Sequence, residues 1–246
     1  MKLVLLGTGG YFPTSERQTA CLMLPEIGVV LDAGTGMYRV GQQLCTDRLD
    51  IFLTHAHLDH VAGLTYLCNI VPKDVLNRTT VHGDAAKLSA VREHLFAEAI
   101  FPLAPQFRFK TLSESLQLPG GAFLTHFALQ HPGGSIGYRL DWNDRSMAYV
   151  TDTTAVVGAS YIEKIRGVDL LIHEAYFSTD TGDLPQITGH SSLGRVAALA
   201  AEAKIGRLVL THINPQHEAG ALLDLAGAVS TLKDIEVADD GMEIDF

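Results

Sequence analysis

The sequence predicts an α/β domain, and three observations carry that prediction. Short aliphatic runs closed by Gly, Thr, Asp or His recur along the chain, stretches of helical periodicity lie between them, and no linker, low-complexity tract or strict repeat interrupts the pattern. With 246 residues, 47% of them hydrophobic and 19% charged, the chain has an ordinary globular balance and enough length to bury a sizeable core. A single domain over residues 1–246 is the expectation.

In order, the runs are "KLVLLGTGG", "GVVLDAGTG", "LDIFLTHAH", "GAFLTHFALQHPGG", "SMAYVTDTT", "VDLLIHEA" and "GRLVLTHINP". Their length and aliphatic content predict buried strands, and their closing residues put polar side chains at strand ends, where α/β folds build sites. Between them, "DAAKLSAVREHLFAEA" (Asp84 to Ala99) repeats apolar residues at three and four and predicts a helix. "SSLGRVAALAAEAKIG" predicts a second, with Ser191 or Ser192 as N-cap and Gly206 as its stop, and "AGALLDLAGAVSTL" a third. Pro102 and Pro105 break the chain after the first helix, and "LPGGA" marks a turn before Phe123. "FLTHAH" and "VLTHIN" both place Thr-His at the end of an apolar strand, an echo that suggests two similar layers facing each other.

The 28 acidic residues outnumber the 18 basic ones, for a net charge of −10, and no basic stripe is present. Such a surface repels polyanions, which argues against a nucleic-acid binder. Cys21, Cys45 and Cys68 are odd in number, widely spaced and form no CxxC pair, as suits free thiols in a reducing compartment. The apolar run in "MKLVLLGTGG" is too short for a signal-peptide core, and no segment approaches a membrane span, so a cytoplasmic, soluble protein is expected.

The stretch "LTHAHLDH", Leu53 to His60, holds three of the chain's 11 histidines directly after an apolar run. His55 and His57 lie two apart, on one side of an extended segment, while Asp59 and His60 follow a turn that can redirect them toward a second point. One short segment can therefore serve two metal ions. Imidazole with carboxylate suits zinc first, then manganese or iron, and the carboxylate argues against a purely structural site.

HxHxDH after a strand resembles the signature of the metallo-β-lactamase superfamily, and the resemblance spans nearly the whole chain. It implies an αββα sandwich with a dinuclear metal site along the edge where two sheets meet. By that resemblance His55, His57 and His131 hold one divalent ion, Asp59, His60 and His212 hold the other, and Asp152 bridges both. Asp32 in "VVLDAGTG" matches a recurring aspartate that orients a liganding histidine from behind.

Four segments in order, "LLGTGGYFPTSERQTA", "LTHAHLDH", "LLIHEAYF" with "TGHSS", and "LVLTHINP", resemble the ribonuclease Z branch of metal-dependent phosphodiesterases. The resemblance implies hydrolysis of a P–O bond by water activated on two metals, with Asp59 orienting that water and taking its proton. His173 of "HEA" is then the candidate general acid, supported by Glu174, while His190 of "GHSS" is expected to brace its loop. Arg17 is the candidate phosphate contact. Relatives in this branch are often dimers, so a homodimer is an expectation of the same kind.

Two departures narrow the substrate. The branch's PxKxRN loop corresponds to Pro13, Thr14, Ser15, Glu16, Arg17 and Gln18, in which Lys and Asn are replaced. The branch's tRNA-gripping arm would lie between His131 and Asp152, which are only 21 positions apart. A small phosphodiester, such as a cyclic nucleotide or another cyclic phosphate, is therefore expected, and a long nucleic acid is not. The rival readings are a hydrolase of a thioester, lactone or β-lactam on the same fold, and a non-catalytic metal-dependent binding or biosynthesis accessory protein.

Overall fold

The structure, a computed structural model, describes residues 1–156, 158–178, 182–216 and 234–246. Among them run fourteen strands: β1 (Lys2–Gly7), β2 (Cys21–Leu24), β3 (Val29–Leu31), β4 (Asp50–Phe52), β5 (Thr80–Gly83), β6 (Arg108–Thr111), β7 (Ser115–Gln117), β8 (Phe123–Leu129), β9 (Ser135–Asp141), β10 (Ser146–Val150), β11 (Leu170–Glu174), β12 (Arg207–Thr211), β13 (Ile235–Val237) and β14 (Met242–Asp245). All seven aliphatic runs of the sequence contain one of these strands. The chain forms two compact units, Met1–Glu114 with Asp239–Asp245, and Ser115–Ala238 with Phe246.

The first unit holds a mixed sheet in the order β14-β1-β2-β3-β4-β5-β6, with β3 through β6 parallel. Its central strands are buried along their whole length and so read as unbroken apolar runs rather than as alternation. Val4, Met23, Val30 and Ile51 pack there with Val61 and Leu64, which follow the histidine motif. Asp84 caps the first helix, its Oδ1 accepting from the Ala86 and Lys87 N–H groups. That helix runs Ala85–Ala90, continues as a π-helical turn over Val91–Leu95, and stops short of the Ala99 end expected from periodicity. Phe96 leaves it to pack edge-on against Phe101 and Phe107, with ring centroids 5.4 and 5.7 Å away, so aromatic packing overrides helical propensity.

The second unit holds a sheet in the order β13-β12-β11-β10-β9-β8-β7. Strands β8, β9 and β10 pair antiparallel in turn, and β10, β11 and β12 pair parallel. Strands β8, β10, β11 and β12 consequently run in one direction and end at one edge of the sheet. The 21 positions from His131 to Asp152 are taken up by β9 and β10, with no arm.

Leu193, Val196, Ala197 and Ala200 form the buried face of the helix Leu193–Ala203, at the three-and-four spacing that predicted it. Ser192 occupies its N-cap position, without a side-chain cap bond. Its stop is Lys204, in the left-handed conformation at φ 53°, and not Gly206. Gly206 serves a close approach instead: a Cβ there would lie 2.6 Å from the Asp169 carbonyl oxygen. The third expected helix lies outside the described residues. Among the described residues no helix is long and apolar enough to cross a membrane.

Candidate metal centre

In the first unit, β4 ends at Phe52 and delivers Thr54 and His55 just beyond it. Asp32, wholly buried and left-handed at φ 59°, is the hub around which the donors of this unit are arranged. Its Oδ1 accepts the Thr54 N–H at 2.8 Å, and its Oδ2 lies 2.8 Å from His60 Nδ1. The Thr54 hydroxyl donates its single proton to the same carboxylate and sits 3.0 Å from His55 Nδ1, so that hydroxyl accepts the His55 Nδ1–H. Both histidines thus have Nδ1 engaged as a donor, so the lone pair of each neutral ring lies on Nε2, the atom that could bind a metal.

The rings of His55 and His57 lie 4.4 Å apart, and those of His55 and His60 lie 4.3 Å apart. Asp59 Oδ2 approaches His60 Nε2 at 3.3 Å and accepts the Tyr11 N–H at 2.9 Å. Three imidazoles and a carboxylate therefore crowd one small region of this unit.

In the second unit, the ends of β8, β10 and β12 bring His131, Asp152 and His212 to one sheet edge. His131 Nδ1 donates to the Gly189 carbonyl at 2.9 Å, and its Nε2 lies 3.4 Å from Asp152 Oδ2. Asp152 turns its other oxygen, Oδ1, to His212 Nε2 at 3.1 Å. One carboxylate presents separate oxygens to two imidazoles. Gly189, at φ 72°, permits this approach, because a Cβ there would sit 2.6 Å from His131 Nδ1. Of the five described non-glycine residues with positive φ, four are Tyr11, Asp32, Asp152 and His212, and the fifth is the helix cap Lys204. Backbone strain concentrates where function does, and here it concentrates on these residues.

Glu174, buried at the end of β11, accepts the Thr153 N–H on Oε1 at 2.7 Å and the Ser191 N–H on Oε2 at 3.0 Å. As an acceptor on both oxygens, it takes the His190 Nδ1–H at 3.2 Å. The His190 ring stacks on His212 at 5.2 Å and on Tyr176 at 4.6 Å, and lies 5.3 Å from His131. Asp152, His190 and His212 offer ligand atoms within 4.8 Å of one another.

His173 is elsewhere. Its ring is fully buried, with Nε2 at 2.9 Å from the Tyr161 hydroxyl and Nδ1 at 2.8 Å from the Glu174 carbonyl oxygen. Burial lowers its pKa below the usual histidine value, and burial likewise pushes the Tyr161 phenol well up. His173, the expected proton donor, thus lies with both ring nitrogens engaged and turned away from the Glu174 side chain: successive residues of a strand point to opposite faces, so "HE" sends Glu174 and His173 opposite ways. Strand parity in "LLIHEA" was the signal that could have separated them.

The nearly buried guanidinium of Arg17, the expected phosphate contact, donates to Thr8 Oγ1 at 2.6 Å and to Asp239 Oδ1 at 2.6 Å, which makes it part of the loop's frame. Asp240 completes that frame by accepting from the Thr8 and Gln18 N–H groups and from Arg39.

The donor set fits divalent metal. Imidazoles pinned at Nδ1 together with carboxylates suit zinc, manganese or iron, and none of the metal-competent groups among the described residues contains a cysteine.

Residues 28–213 match the family model described as the beta-lactamase superfamily domain, and the chain belongs to that family. It is similar to ribonuclease Z of Haloarcula marismortui, 26% identical over 301 residues that cover 99% of this chain and 96% of that protein. Among solved structures, the metallo-beta-lactamase fold protein YhfI of Bacillus subtilis superposes with a TM-score of 0.80 at 20% identity, covering 99% of both chains. A diphosphatase from the PhnP family gives 0.75 at 20% identity, covering 100% of this chain and 97% of that one. The metallo-β-lactamase fold expected of the sequence is the fold of the chain.

Proposed function

We propose that residues 1–246 form one hydrolase domain that uses two divalent metal ions to cleave a small phosphodiester, such as a cyclic nucleotide or cyclic phosphate. In this reading His55, His57 and His131 hold one ion, Asp59, His60 and His212 the other, and Asp152 bridges them, with zinc as the first candidate metal. The observation that carries it is Asp152, whose two oxygens face two different histidines at 3.4 and 3.1 Å. Likeness to ribonuclease Z and to a diphosphatase supports phosphorus as the centre attacked. The 21-position stretch after His131 and the net charge of −10 support a small substrate over tRNA.

Bound metals would lower the pKa of water toward neutrality and offset charge on the phosphoryl oxygens. The chain's own residues supply orientation and proton transfer. Asp59, held by the Tyr11 N–H, orients the attacking water and receives its proton. Glu174 accepts the His190 Nδ1–H, and His190 serves in this reading as the proton donor to the departing oxygen, the role the sequence alone assigned to His173.

The test is turnover of bis(p-nitrophenyl) phosphate by protein of known zinc or manganese content, beside Asp59→Ala. Metal-dependent turnover that vanishes in the variant supports the reading and opens a screen of cyclic nucleotides. No turnover with two metals bound per chain overturns it.

A further inference from the structure

The loop after β1 carries two aromatic side chains that the proposed reaction leaves unused. Tyr11 sits at φ 66°, a left-handed conformation that bulky residues rarely adopt. In that conformation its N–H reaches Asp59 Oδ2 at 2.9 Å while the residue stays 72% exposed. Phe12, 43% exposed, packs edge-on against it with ring centroids 5.6 Å apart. Two exposed aromatic residues therefore adjoin the backbone N–H that holds a candidate metal-binding carboxylate.

They are held there firmly. Asp240 Oδ1 accepts from the Thr8 N–H and hydroxyl, and its Oδ2 accepts from the Gln18 N–H. The Gly9 N–H pairs with the Gln18 carbonyl and the Thr14 N–H with the Arg17 carbonyl, while the Arg17 guanidinium grips Thr8. Both ends of the loop are pinned, so the exposure of its tip is built in rather than a product of slack chain.

With an acidic chain and Arg17 engaged in the loop frame, a neutral interaction is the natural source of further affinity for a small phosphodiester. Aromatic faces provide one, because planar rings stack on them without needing a charged partner. We infer that Tyr11 and Phe12 form a stacking platform for a planar substituent of the substrate, so that the chain prefers aryl or nucleobase-bearing phosphodiesters over alkyl ones. This specificity rests on the phosphodiesterase reading above.

The experiment is calorimetric titration of the metal-loaded protein with diphenyl phosphate and with dimethyl phosphate, and turnover of bis(p-nitrophenyl) phosphate is read separately. The wild type is expected to bind the diphenyl ester about tenfold more tightly, the size of one base–aromatic stack. Tyr11→Asn, which tolerates the left-handed backbone, and Phe12→Leu are expected to cut that ratio about threefold or more each, while Tyr11→Phe retains it. Equal binding of the two esters by the wild type overturns the platform, as does a preference that survives in both ring-less variants. Turnover without preference sustains hydrolysis and overturns the platform; preference without turnover does the reverse.

Discussion

The two units place their candidate metal-binding residues by different routes. In the first, His55, His57, Asp59 and His60 fall within six consecutive positions, and a local turn, backed by the buried Asp32, sets their directions. In the second, His131, Asp152 and His212 span more than eighty positions and meet because β8, β10 and β12 end at one sheet edge. A motif made by a turn can be read from the string of letters, whereas one made by a sheet edge depends on strand order and direction. In both, a histidine's Nδ1 is tied to an acceptor behind it, so the two routes converge on one local chemistry.

The sharpest way to break this comparison is Asp152→Ala. If Asp152 bridges, turnover of bis(p-nitrophenyl) phosphate falls on the order of 10⁴-fold or more, and metal analysis finds fewer than two ions per chain. Two retained ions with near-normal rates would remove Asp152 from its assigned place.

Next in size is His190→Ala, expected to lower kcat roughly 10²- to 10³-fold with metal content unchanged, as for loss of a proton donor. Its counterpart, His173→Leu, leaves the Tyr161 hydroxyl without its partner and should cost about 1–3 kcal/mol of stability, read by denaturant unfolding. A larger kcat loss in His173→Leu than in His190→Ala would reverse the two assignments.

A smaller effect is expected in the first unit. Asp32→Asn keeps the shape but weakens the hold on His60 and Thr54, so metal affinity should drop about 10- to 100-fold in a chelator competition. An unchanged affinity would show that the turn alone sets the ligands there.

The smallest effect concerns pH. Burial lowers the His173 pKa, so the unfolded chain binds the proton more readily than the folded one. The stabilisation this gives is complete above the ordinary histidine value of 6.5 and is lost as pH falls below it. Denaturant midpoints of the wild type should therefore decline between about pH 7.5 and 5.5 more steeply than those of His173→Leu. Parallel declines would contradict a neutral, buried His173.

How legible each part was depends on where its partners lie. The seven strands were visible because buried strands are short aliphatic runs, and the HxHxDH group was visible because its members are neighbours. Arg17 was not, since its acceptor Asp239 is 222 positions away in the chain. The helix after Asp84 ends early through Phe96, whose aromatic partners at 101 and 107 no helical period encodes.

By itself, the sequence determined an α/β chain, the strands that carry polar residues at their ends, the clustered donors of Leu53 to His60, and the resemblance that pointed to the superfamily. Only the tertiary structure decided which residues stand behind the candidate ligands, that His190 rather than His173 stands against His131 and His212, and that Arg17 braces a loop. The reason is physical. Local spacing sets which way neighbouring side chains can point, but burial and hydrogen-bond partners are assigned by residues far along the chain, through strand order, strand parity and loop closure.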